Sequence, residues 1–200
     1  MQEIISKIKT EVIKRSNQFE TITKGTKDEY NLYKEHIQYV YKYALMLIKN
    51  KDIDKDVVEL SALLHDIAMT NPKLDRLRHN EYGAVIAEEL LSKEINNQEK
   101  IKLIVKCILN HSNKRKEYRT TLEESILVDA DALAHFDSIK SLYSLAHNVI
   151  ELSEIDSIQF VKDKLTKDYN EISEDAKVLI NDKYMAIMNC KNIKDLRSFF

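Results

Sequence analysis

Two hundred residues suffice for one globular domain with a full core, and 44% hydrophobic with 32% charged residues fits neither a disordered nor a membrane-embedded chain. The formal charge is −2 with acids and bases interspersed, so the strong basic excess of a general nucleic-acid binder is missing. Two glycines and one proline are too few for the turns a sheet protein needs, which predicts an all-α fold.

The first residues, Met1 to Ile8, alternate acid, base and apolar side chains, unlike the basic start and unbroken apolar stretch of a secretory signal. Ile5, Ile8, Val12 and Phe19 then share one stripe and predict a helix over 3–19. Residues 21–28, with Gly25, read as a loop. The helical period returns over 30–49 through His36, Val40, Tyr43, Ala44 and Leu47. Residues 54–68 are apolar nearly all round, as in a central helix, and Asn71-Pro72 ends the pattern. Residues 79–93 place His79, Gly83, Ile86, Ala87 and Leu90 on one face. Residues 98–111 follow with Ile101, Ile104, Val105, Ile108 and finally His111.

Lys114 to Thr120 read as a basic connection. Thr120 and Thr121 precede Glu123 and Glu124 at capping-box spacing, which starts a helix reaching about His135. Further helices are expected over 137–151, 157–171 and 174–190, with a short terminal piece. Charge density rises after Ser153 without a chemistry-bearing cluster, so the last quarter reads as a packing or oligomerisation element compatible with a homodimer. One domain is expected: an N-terminal helix and loop over 1–29, a metal-binding helical domain over 30–151, and a C-terminal helical extension over 152–200. No apolar run approaches the roughly 18 residues of a spanning helix, so no membrane association is expected. Cys107 and Cys190 read as buried reduced thiols, and a cytoplasmic location is expected.

His65 and Asp66 end the apolar run Val57 to Leu64. A buried carboxylate costs several kcal/mol unless a cation or several donors meet it, and imidazole with carboxylate is a common shell for divalent transition metals. His36, His79 and His111 each lie on the apolar side of a separate predicted helix, which is how bundle proteins converge on a metal. Asp129 and Asp131 add two carboxylates to an otherwise apolar helix, and periodicity does not choose between them. His135 and His147 read as surface or packing residues.

The ordered set of His36, His65-Asp66, and a late aspartate in Asp129-Ala130-Asp131 resembles the HD-domain metal-dependent phosphohydrolase superfamily, and looks closest to its compact bacterial hydrolases. The resemblance covers roughly residues 30–140. It includes Ala62-Leu63-Leu64-His65-Asp66-Ile67, His79, Ile108-Leu109-Asn110-His111-Ser112, and Thr121-Leu122-Glu123 leading into the aspartates. It implies an HD-type helical bundle whose metal ligands are His36, His65, Asp66 and Asp131, with His65 and Asp66 also serving catalysis. Asp131 is preferred because the family's ligand is the aspartate of an Ala-Asp pair. His79 and His111 would contact substrate phosphate or ligate a second metal. Ala132-Leu133 departs from the arginine and leucine that often follow that aspartate.

The implied activity is hydrolysis of a phosphate ester or anhydride in a small phosphorylated molecule, such as a nucleotide, with Mn, Fe, Mg, Co, Ni or Zn as the divalent ion. Arg78 and Lys114 are candidate phosphate contacts. The alternatives are a metal-containing sensor without turnover, a two-metal phosphodiesterase or iron oxygenase, and a helical adaptor whose histidines and aspartates satisfy one another.

Overall fold

Asp54, Asn97, Thr121, Ser153, Ser173 and Asn192 each accept a backbone N–H from the first turn of the helix that follows. Such caps satisfy otherwise orphaned donors and contribute about 1 kcal/mol each. At Thr121 the capping box is complete, with Glu124 returning the bond to the Thr121 N–H. In the computed structural model, which describes residues 1–27 and 29–200 apart from the side chains of Asn113 and Lys114, these signals delimit an all-α fold.

Among the described residues there are ten α-helices and no strand. They are α1 (Gln2–Thr23), α2 (Gln38–Leu47), α3 (Lys55–Leu64), α4 (His79–Leu91), α5 (Gln98–Asn110), α6 (Leu122–His135), α7 (Ile139–Ser144), α8 (Glu154–Glu171), α9 (Glu174–Met188) and α10 (Ile193–Arg197). None is long and apolar enough to cross a membrane. Three departures from the expected helices bear on function. A π-helical turn, Tyr33–Ile37, leads into α2. The central helix stops at Leu64 and gives way to a 3-10 turn, Ile67–Thr70, so His65 and Asp66 sit at a break. The basic connection is itself a 3-10 segment, Asn113–Tyr118.

Every residue from Val57 to Leu64 is buried, because α3 runs through the middle and packs on α1, α2, α5 and α6. Full burial of a leucine such as Leu60, Leu63 or Leu64 is worth about 1.5–3 kcal/mol, so this helix anchors the core. α2 lies against α6, and α4 against α5. Gly83 lets α4 approach the break after α3 closely, since a Cβ there would stand 3.1 Å from the His65 carbonyl oxygen. α8 packs on α6 and on α7, and α9 covers α6 and α8. Cys107 and Cys190 are buried and unpaired, and burial pushes the Cys107 thiol up to about 12.

Candidate metal centre

Five elements deliver six side chains to one place: His36 from the π turn, His65 and Asp66 from the break after α3, His79 from the start of α4, His111 from the end of α5, and Asp131 from α6. They form two triads. His36, His65 and Asp131 make one, and Asp66, His79 and His111 the other. In the first, His36 Nε2 lies 3.0 Å from Asp131 Oδ1 and 3.3 Å from His65 Nε2, and His65 Nε2 is 3.7 Å from Asp131 Oδ1. In the second, His79 Nε2 and His111 Nε2 are 3.2 Å apart, and stand 3.5 and 3.6 Å from Asp66 Oδ1. Asp66 Oδ2 turns the other way, 3.5 Å from His65 Nε2 and 3.8 Å from His36 Nε2. One carboxylate therefore faces both triads.

Helix ends fix the histidine tautomers. His65 Nδ1 donates to the Ala62 carbonyl at 3.0 Å, His79 Nδ1 to Arg76 at 2.8 Å, and His111 Nδ1 to Ile108 at 2.6 Å. A carbonyl only accepts, so in a neutral ring the proton is on Nδ1 and the Nε2 lone pair points inward. The Ala62 and Ile108 carbonyls are available because the last turn of a helix lacks intrahelical donors, whereas the Arg76 carbonyl lies in the 3-10 turn before α4 and also accepts the His79 backbone N–H. Arg119 reinforces the end of α5, donating to the carbonyls of Asn110 at 2.8 Å, His111 at 3.1 Å and Ser112 at 2.7 Å. The Asn80 amide donates to the Leu109 carbonyl at 2.7 Å and ties α4 to the same end.

These residues fit divalent ions. The converging Nε2 lone pairs of His79 and His111, 3.2 Å apart, repel unless a proton or a cation lies between them. Asp66 Oδ1 is buried with no hydrogen-bond partner among the described residues, an arrangement that costs several kcal/mol unless a cation completes it. The electrostatics agree. Burial alone would raise the Asp66 carboxyl, but His65, His111 and His79 hold it far below the ordinary range. Asp131 is likewise held well down against its burial by the His36 hydrogen bond and by His135. Burial pushes His65 down to about 4, which keeps its ring neutral.

The other sequence candidates separate cleanly. Asp129 faces away from both triads and accepts from the Ser173 N–H at 3.1 Å and from the Ser173 hydroxyl, at the start of α9. Arg78, expected as a phosphate contact, is exposed outside the lining of the two cavities beside the triads, bonds Glu81 at 2.6 and 2.9 Å, and lies over the Tyr82 ring. The Lys114 side chain lies outside the described residues. His147 stacks on Tyr143 at the surface.

A cavity of about 280 Å³ opens beside His36 and Asp66. Tyr30, Arg76 and Lys27 give it polar groups, and Leu32, Met69 and Leu142 an apolar wall. Burial raises the Tyr30 hydroxyl's pKa, helped by Glu35, Asp66 and Asp131, so the phenol stays protonated. A smaller cavity of about 160 Å³ opens beside His79 and His111 of the second triad and Asp131 of the first, with Lys164 and Asp168 of α8 in its wall. Sequence reasoning missed these last two and gave His135 a surface or packing role. Yet His135 borders the larger cavity, and its place four residues after Asp131 puts it on the same face of α6, a signal the sequence did contain.

A family model described as HD domain matches residues 33–135. The chain is 27% identical over 85 residues to cyanamide hydratase DDI2 and to cyanamide hydratase DDI3 of Saccharomyces cerevisiae. Each alignment takes in 39% of this chain and 38% of the relative, so the chain spans well under half the length of these curated relatives. No solved structure matches it significantly.

Proposed function

Because this chain belongs to the HD domain family, whose domains bind divalent metals, we propose that it is a two-metal hydrolase acting on a small phosphorylated molecule. The observation that carries the proposal is Asp66: its Oδ1 is buried without a partner toward His79 and His111, while its Oδ2 faces His36 and His65. A carboxylate between two sets of imidazoles is the arrangement expected of a bridging ligand. It also speaks against an adaptor, in which these groups would satisfy one another.

His36, His65 and Asp131 would hold one ion and His79 and His111 the other, with Asp66 shared. Ions bound there would supply an acidified water and offset charge on a phosphoryl oxygen. The protein contributes orientation. The carbonyls of Ala62, Arg76 and Ile108 keep three imidazoles aimed inward before any ligand arrives. The apolar wall of the larger cavity limits water around the reacting group, and Arg76, Lys27 and the Tyr30 hydroxyl give an anionic end polar neighbours. A volume of about 280 Å³ suits a molecule of nucleotide size rather than a polymer.

The similarity to cyanamide hydratases favours a second reading, addition of water to a small nitrile-like substrate at the same centre. Elemental analysis of the purified protein tests the ligand set, with about two equivalents of metal per chain expected. A panel of nucleotides, phosphomonoesters and phosphodiesters, with cyanamide added, tests the chemistry under Mn²⁺, Fe²⁺, Co²⁺ and Ni²⁺. Phosphate release supports the hydrolase. Turnover of cyanamide alone would replace it with the hydratase, and binding without turnover would leave a sensor.

A further inference from the structure

The His135 ring stacks on the ring of His36, with centroids 5.3 Å apart and planes inclined by 19°. Its Nδ1 is 3.0 Å from Asp168 Oδ2 and 3.1 Å from Lys164 Nζ, and Lys164 donates to both Asp168 oxygens at 2.7 Å. Asp168 is buried, and a buried carboxylate is tolerated when a cation meets it, as Lys164 does here at both oxygens. Nδ1 is thus fully engaged. Nε2 is left without a protein partner among the described residues, in a ring that lines the larger cavity beside His36 and Asp66. The tautomer in which Nδ1 accepts from the Lys164 ammonium carries its proton on Nε2 and presents an N–H there, whereas donation from Nδ1 to Asp168 leaves Nε2 an acceptor.

We propose that His135 is a substrate-contacting residue whose Nε2–H donates to a phosphoryl oxygen at the His36–His65–Asp131 position, and that Asp168 and Lys164 of α8 are the positioning residues that hold its ring. The inference rests on the hydrolase reading above. It gives the C-terminal helices a part in the site. α8 begins nineteen residues beyond the HD match, which ends at His135, and supplies the pair that orients this ring. It also separates two roles for one imidazole, since stacking on His36 needs only a flat ring, whereas a substrate contact needs a nitrogen.

The test uses inorganic phosphate as the probe on the Mn²⁺-loaded full chain, with metal content measured on the same samples. His135→Phe keeps a flat ring and removes both nitrogens. The expected result is unchanged metal content with phosphate affinity weakened about tenfold or more, the loss of one hydrogen bond to a charged oxygen. His135→Gln, which restores an N–H, should recover part of that affinity, and Asp168→Ala should weaken phosphate binding without loss of metal. If the Phe variant does not fold, His135→Leu carries the same comparison against Gln. Loss of metal from the Phe variant would assign His135 to support of His36 and overturn the proposal. Equal phosphate affinity in wild type and variant would overturn it as well, as would a wild type that binds no phosphate. If phosphate binding falls as expected while the wild type hydrolyses nothing in the panel, His135 stands and the hydrolase reading fails.

Discussion

A histidine becomes a good ligand only when something decides which nitrogen carries its proton, and here the backbone decides. The carbonyls of Ala62, Arg76 and Ile108 take the Nδ1 protons of His65, His79 and His111, each from three residues upstream. The carbonyl groups around His111 are held in turn by the Arg119 guanidinium through three bonds. Lysine is a point charge and cannot reproduce that fork. Arg119→Lys should therefore cost about 1–3 kcal/mol in urea unfolding and loosen the end of α5. Dialysis against limiting Mn²⁺ should leave close to one ion per chain, lost first from the His79–His111 side. The residues of the two triads were legible in the sequence as candidates because histidine and aspartate stand out on apolar stripes. Arg119 was not, since in Lys114-Arg115-Lys116-Glu117-Tyr118-Arg119 it looks like one more solvated charge. Arg78 looked more promising and turned out to bond Glu81.

At the scale of elements, the apolar period and the caps located most helices to within a few residues, because each signal is local. What period cannot give is the distance between helices, and Gly83 shows why that matters. As one apolar-face position among several it carries no message, but in space it sets how near α4 comes to the end of α3. A methyl group at this position would meet the His65 carbonyl oxygen at 3.1 Å, and that oxygen is backbone, fixed beside a candidate ligand. Alanine is favoured over glycine by about 1 kcal/mol inside a helix, so Gly83→Ala would stabilise if only α4 mattered. Overpacking costs typically 1–3 kcal/mol, so a net loss is expected, together with weaker metal retention as His79 moves relative to His65. A thermal melt and metal analysis of one sample decide it; higher stability with full metal would show that the contact between Gly83 and the His65 carbonyl has slack. The role of α8 was equally hidden, because Lys164 and Asp168 are an ordinary helical pair until α8 is laid against α6 and His135 comes within 3.0 Å.

For the whole molecule, the six candidate ligands come from five elements spread between His36 and Asp131, so ions bound there would cross-link most of the core rather than decorate it. Ligand binding to the folded state alone stabilises by about 2.7 kcal/mol per site at a hundredfold excess over Kd. For a chain of 200 residues each kcal/mol shifts the melting temperature by about 2–4 °C. Two ions should therefore raise it by roughly 10–20 °C over the chelated protein. Asp66→Ala isolates the cause, because Asp66 alone faces both triads. In Mn²⁺ the variant should melt far below the wild type, and in chelator the two should lie close together. The gap between metal and chelator would then nearly vanish in the variant. Were Asp66 instead a purely structural partner of the surrounding histidines, the substitution would lower the melting temperature equally in both conditions, and metal would leave each protein's stability unchanged. Comparing four melts thus distinguishes a core built around ions from a core that only contains polar residues.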